Sequence, residues 1–261
     1  MRETTPGVEL IARPSIDFDA LERYLKYVGG ESWLEMRTAE DPAPNPGQLL
    51  IEAAGRACYR SWKEGLNPNV SRVRKDQQQY FLNILNSGHG SVLEHANYSF
   101  ILYDVSRVFT HELVRHRAGS AFSQESLRFV RLDEIDFRIP ESLESLRPQI
   151  VEIVETLEKF QVTAAEHFGL DEEGKSFHEK KEITSALRRL APEGLTTVIF
   201  WTANVRALRH TIEMRTAPGA EEEIRFVFNR IGEIMVAEAP FLFGDFTVTD
   251  EGAWLTEHRK V

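Results

Sequence analysis

The sequence predicts an α+β fold: a helix-rich domain around a mostly antiparallel sheet. Two segments, Tyr98–Val105 (YSFILYDV) and Thr196–Ala203 (TTVIFWTA), are dense in aromatic and β-branched residues, as strands are. The longer stretches around them carry helical periodicity with start and stop signals. The chain contains no internal repeat and no low-complexity tract.

In chain order, Phe18–Val28 reads as a short helix, followed by Gly29-Gly30 and a Pro-rich stretch from Pro42 to Pro46. Residues 1–48 therefore read as an N-terminal extension, 49–245 as the catalytic domain and 246–261 as a C-terminal tail. Leu49–Trp62 reads as a helix broken near Gly65 and Pro68, and Val73–Asn86 as another that Gly88 ends. After the Tyr98–Val105 strand, Ser106 caps a helix expected to reach Arg117. The small, polar run 118–127 (AGSAFSQESL) reads as a loop, and Phe129–Ile139 as a weak strand pair. Helices are expected at Leu146–Phe168, Lys175–Leu190, Arg206–Arg215 and Glu221–Ala237.

With 261 residues, 42% hydrophobic and 28% charged, the chain has an ordinary globular composition. No run approaches 18 apolar residues, so no membrane helix is expected. The first residues lack a secretory apolar region, which predicts a cytoplasmic protein. Its single cysteine, Cys58, excludes an intrachain disulfide framework. A net charge of −10 argues against nucleic-acid binding. Yet residues 105–131 hold five arginines against Glu112 and Glu125, and residues 188–215 hold five against Glu193 and Glu213. Such islands either sit on solvated helix faces or serve small anions.

No G-x-x-x-x-G-K-[ST] is present, and no G-x-G-x-x-G follows a strand. Cys58 has no partner at the spacing a thiol nucleophile needs. His89, His95, His111 and His116 raise the alternative of a metal-dependent hydrolase. In His111-Glu112-Leu113-Val114-Arg115-His116, however, the second histidine comes five positions on, rotated by roughly 140° from the first. An arginine beside it also repels a cation, so no metal site is expected. The arginines suit an anion better, because Arg offers a planar fork matching phosphate. Arg115 and Arg117 flank His116 where a helix gives way to small residues. Ser120, Ser123 and Ser126 add hydroxyl donors, and Arg128 follows. These residues point to a phosphate-bearing ligand.

Arg115-His116-Arg117 followed by Ser126-Leu127-Arg128 resembles the R-H-R…S-x-R signature of the flavin-dependent thymidylate synthases. Gly88-His89-Gly90-Ser91-Val92-Leu93-Glu94-His95 is similar to the family's G-H-x-[ST]-x-x-E-H segment. Arg56-Ala57-Cys58-Tyr59-Arg60-Ser61 resembles its R-A-x-x-x-S helix, and Phe200 to Arg206 its F-W-T-x-N-x-R strand. The resemblance implies reductive methylation of dUMP to dTMP, with FAD reduced by NADPH and 5,10-methylenetetrahydrofolate as carbon donor. It implies flavin contacts at Ser91, Arg115, His116, Arg117, Gln124, Asn204, Arg206 and His210. It implies dUMP contacts at Glu112, Arg115, Gln124, Glu125, Ser126, Leu127, Arg128, Arg188 and Arg215. Arg215 corresponds to the residue facing the uracil ring, and His89 to one that places the folate or relays protons. The resemblance also implies a homotetramer with shared active sites.

The chain departs from that pattern in places. Eight residues rather than seven separate Arg117 from Ser126, Glu112 stands where the family often has glutamine, Gln124 replaces a glutamate and His210 an asparagine. These departures bear on which pyrimidine nucleotide is used.

Overall fold

The computed structural model describes residues 1–261. Its elements are β1 (Arg2–Glu3), β2 (Gly7–Ala12), α1 (Phe18–Val28), α2 (Glu31–Thr38), α3 (Pro46–Tyr59), α4 (Gln77–Ser87), β3 (Asn97–Ser106) and α5 (Arg107–Leu113). There follow β4 (Ser120–Gln124), β5 (Asp136–Phe137), α6 (Arg147–His167), α7 (Phe177–Leu187), β6 (Thr196–Asn204), α8 (Val205–Arg215), α9 (Glu222–Glu238) and α10 (Pro240–Phe243). A final hairpin pairs β7 (Thr247–Val248) with β8 (Trp254–Leu255).

Four strands form the central sheet in the order β2–β3–β6–β4, every neighbouring pair antiparallel. Alternation along β3 and β6 turns Tyr98, Phe100 and Leu102, with Ile199, Trp201 and Ala203, onto one face, all fully buried. Helices α4, α8 and α9 cover that face; Trp201 meets Phe228 of α9 with ring centroids 5.4 Å apart. The opposite face, with Ser99, Ile101, Phe200 and Thr202, stays uncovered within the chain, and Phe200 is 46% exposed.

The two long strands were legible because their side chains fill this core. Three expectations need correction. Residues 120–124, expected as loop, form an edge strand on β6, with Phe122 opposite Trp201. Pairing supplied by β6 overrides the low strand preference of small polar residues. Within Phe129–Ile139 only Asp136–Phe137 is a strand, and its parallel partner is β1. The helix capped by Ser106 ends at Leu113, well short of Arg117.

Residues 7–12, within the expected extension, form the other edge of the sheet. Helix α2 had no clear sequence signal, having eight residues and no side-chain N-cap. A bulge in β3, with Asp104 at φ 54°, bends the strand so that Ser106 accepts from Phe109 N and starts α5.

Candidate functional site

The site grows from the junction where β3 hands over to α5 and β6 to α8. Both helices start on a strand-ending residue, Ser106 and Asn204, whose side-chain oxygen accepts from a first-turn amide. Past Leu113 the chain tightens: His116 N donates to Leu113 O, and Ser120 N to Arg117 O. Gly119 closes the turn at φ 69°, and Asn204 N donates to its carbonyl at 3.0 Å. A Cβ at Gly119 would lie 2.4 Å from Asn204 Nδ2, so only glycine allows this approach. The eighth spacer residue does not break β4, whose register with β6 is continuous over 120–124.

Arg215, the last residue of α8, is the hub. Its Nε donates to His116 Nε2 at 2.6 Å and its Nη1 to Glu112 Oε2 at 2.7 Å. Because His116 Nε2 accepts, this network puts the imidazole proton on Nδ1. Burial, the Arg215 guanidinium and His210 push the His116 pKa down to about 4, so the ring is neutral at physiological pH. His210 lies with its ring centroid 6.4 Å from that of His116. Arg115 and Arg117 are exposed and form no ion pair with a carboxylate. Arg206 pairs with Glu94 at 2.7 Å and lies against Gly90, where a Cβ would come within 2.9 Å of its Nε. Ser91 is exposed on the same short turn, and Gln124 Nε2 donates to Thr110 Oγ1.

A second cationic group forms around Ser126–Arg128. Leu127 is buried among Leu132, Ile135, Val154 and Leu195, which anchors the segment and leaves Ser126 and Arg128 outside. Arg128 faces an open groove with His178, Lys181 and Arg189. Arg188 lies instead beside Leu127 and Arg131 in an adjoining cavity. Lys181 and Arg189 are thus cationic partners that the sequence did not single out. A charge count along α7 and the turn that follows it was the available signal, but only folding sets Lys181 and Arg189 near Arg128. Glu125 is exposed, its amide extending the β4 ladder onto Val198 O.

His89 occupies a third place, the turn after α4, with Tyr59 edge-on at 5.6 Å. No three His, Cys, Asp or Glu side chains converge closely enough to hold a metal ion.

The family model for the thymidylate synthase complementing proteins matches residues 43–241. A flavin-dependent thymidylate synthase of Mycobacteroides abscessus is 36% identical over 214 residues, covering 77% of this chain and 80% of that protein. The Corynebacterium diphtheriae enzyme of the same name is 35% identical over 212 residues, covering 79% and 81%. The chain belongs to the flavin-dependent thymidylate synthase family.

The fold agrees. Thymidylate synthase X of Helicobacter pylori, a crystal structure with FAD and dUMP, superposes with a TM-score of 0.56 at 22% identity, over 76% of this chain and 93% of that one. The α+β expectation, with its antiparallel sheet among helices, is therefore met. As a flavin-dependent thymidylate synthase the chain needs donors for phosphates, and its donor set fits a dinucleotide. Arg115 and Arg117, exposed and without carboxylate partners, lie on the turn that Gly119 closes against Asn204, and the Ser91 hydroxyl is exposed on the turn that carries Gly90.

Proposed function

We propose that the chain converts dUMP to dTMP, with 5,10-methylenetetrahydrofolate as carbon donor and NADPH-reduced FAD as hydride source. The observation that carries this reading is the Arg215–His116–Glu112 cluster beside two arginines without carboxylate partners, on a chain of net charge −10. When bound, the flavin supplies the hydride that completes the methyl group. The protein holds anionic ligands against one another and balances charge on the pyrimidine.

In this reading Arg115, Arg117 and Arg206 hold the flavin phosphates, with Ser91, His116, Gln124, Asn204 and His210 around them. Arg215 stabilises negative charge developing on the uracil ring. Its plane is fixed by His116 and Glu112 before a ligand arrives, so it need not reorganise when the charge appears. The neutral His116 adds no charge at that corner, so Arg215 is its cation, partnered by the Glu112 carboxylate. Ser126, Arg128 and the Leu127 backbone hold the dUMP phosphate, with Gln124, Glu125 and Arg188 at its edge. His89 places the folate. The catalytic unit is residues 49–245, and the exposed single thiol suits a reducing, cytoplasmic setting.

We also infer a homotetramer with shared sites. The uncovered sheet face supports it, as does the absence of any hydrogen bond or ion pair between the Arg215 and Arg128 groups within one chain.

A second reading, the same chemistry on another pyrimidine nucleotide, draws on Glu112 and the extra residue before Ser126. Product analysis with dUMP, UMP and dCMP separates the two. The flavin itself is tested by colour. Purified protein is expected to be yellow and to bleach with NADPH; a colourless protein that takes up no added FAD contradicts the proposal.

A further inference from the structure

A third basic island lies outside both groups above. Residues 60–75 carry Arg60, Lys63, Arg72, Arg74 and Lys75 against Glu64 alone, a balance of +4 in an acidic chain. This strap crosses from α3 to α4 and walls a cleft of about 200 Å3, where Arg72 and Arg74 face Ser61, Tyr59 and His89.

The strap is held from beneath by buried charge. Glu52 is fully buried and takes Arg37 Nη2 and Arg56 Nε, each at 2.8 Å, and Trp33 Nε1 at 2.9 Å. Both arginines also fix strap carbonyls, Arg56 through its two Nη groups and Arg37 through the same Nη2 that meets Glu52. Arg56 donates to Ser61 O at 2.7 Å and Arg74 O at 2.5 Å, and Arg37 donates to Lys75 O at 2.8 Å. Arg37 and Trp33 come from α2, outside the residues the family model matches. Arg37 and Arg56 thus have carboxylate partners, whereas Arg72 and Arg74 form no ion pair. Two free guanidiniums on a backbone pinned by buried groups make a preorganised anion receptor, which solvated arginines on a loose loop do not.

We propose that the cleft between the strap and His89 is an anion subsite receiving the charged tail of the second substrate. The shared chemistry is an oligocarboxylate or a phosphomonoester. A glutamylated folate carries the first, and the 2′-phosphate of NADPH the second. The inference rests on the function proposed above.

The test uses the FAD-loaded full chain and reads binding by fluorescence titration. Wild type is expected to prefer pentaglutamyl over monoglutamyl tetrahydrofolate, or NADPH over NADH, by about 10- to 100-fold, on the order of tenfold for each charged contact. Arg72→Gln/Arg74→Gln is expected to abolish that preference with the flavin spectrum retained. Loss of the glutamate-length preference assigns carboxylates, and loss of the NADPH preference assigns phosphate. Arg37→Met leaves the cleft charges in place and is expected to weaken the same preference, with faster amide exchange over 60–75. Both preferences unchanged in the double variant overturn the subsite. If wild type still makes dTMP in that case, the proposed function stands; if wild type makes none with flavin bound, that function fails instead.

Discussion

Arg215 bonds to a neutral histidine through one nitrogen and to a carboxylate through another, so its removal disturbs two neighbours at once. Arg215→Ala is expected to lower dTMP formation by at least about 10²-fold, the scale of losing one transition-state charge contact, while flavin occupancy read by absorbance stays near wild type. Loss of the flavin would mean that Arg215 holds the cofactor instead. His116 gives a pH signature. Its folded pKa of about 4 lies below its ordinary 6.5, so the unfolded chain binds the extra proton first as pH falls. Its stabilising contribution is present above about pH 6.5 and is lost as pH drops towards 4. Urea midpoints are expected to fall less over that window for His116→Gln than for wild type; equal slopes would remove His116 from the account. Cys58 is exposed and unpaired, and Cys58→Ala is expected to keep most of the activity. A folded but inactive variant would reopen thiol chemistry. At this scale the sequence was informative about residue type and weak about partnership. The family pattern marked Glu112, His116 and Arg215, but sequence separation of 99 and 103 residues hid that they touch.

Strand β4 shows why element reading stopped where it did. Ser120–Gln124 has little strand preference of its own and is ordered by β6 and by the Gly119 turn. Strands β3 and β6 were legible because each carries its own buried alternating face, and the end of α4 because Gly88 is a local cap; the expected starts at Leu49 and Val73 missed the side-chain caps Asn45 and Asp76, which begin α3 at Pro46 and α4 at Gln77. Helix α2 and its Arg37 were not legible, since the contacts that order them, to Glu52 and Lys75, lie across the fold. The Gly119 turn permits a direct test. Alanine there would be held in a left-handed conformation and would meet Asn204, at a cost of roughly 1–2 kcal/mol from the backbone alone. Gly119→Ala is expected to lower Tm by roughly 2–8 °C and to weaken flavin binding. Unchanged Tm and flavin affinity would show that the close approach to Asn204 is not required.

For the whole molecule, an uncovered sheet face and separated cationic groups fit a chain whose site is completed by another copy. Phe200 sits at the centre of that face, 46% exposed. Phe200→Glu is expected to shift the assembly towards smaller species in sedimentation velocity and to reduce turnover in parallel; an intact tetramer would put the contact elsewhere. In the function proposed above, the basic islands of this acidic chain select anionic ligands. The most direct measurement is the product formed when purified protein, loaded with FAD, is given NADPH, 5,10-methylenetetrahydrofolate and dUMP. dTMP is expected to form in step with NADPH oxidation, and none when dUMP or the folate is omitted. Flavin reduction and NADPH consumption with no dTMP would contradict the proposed function.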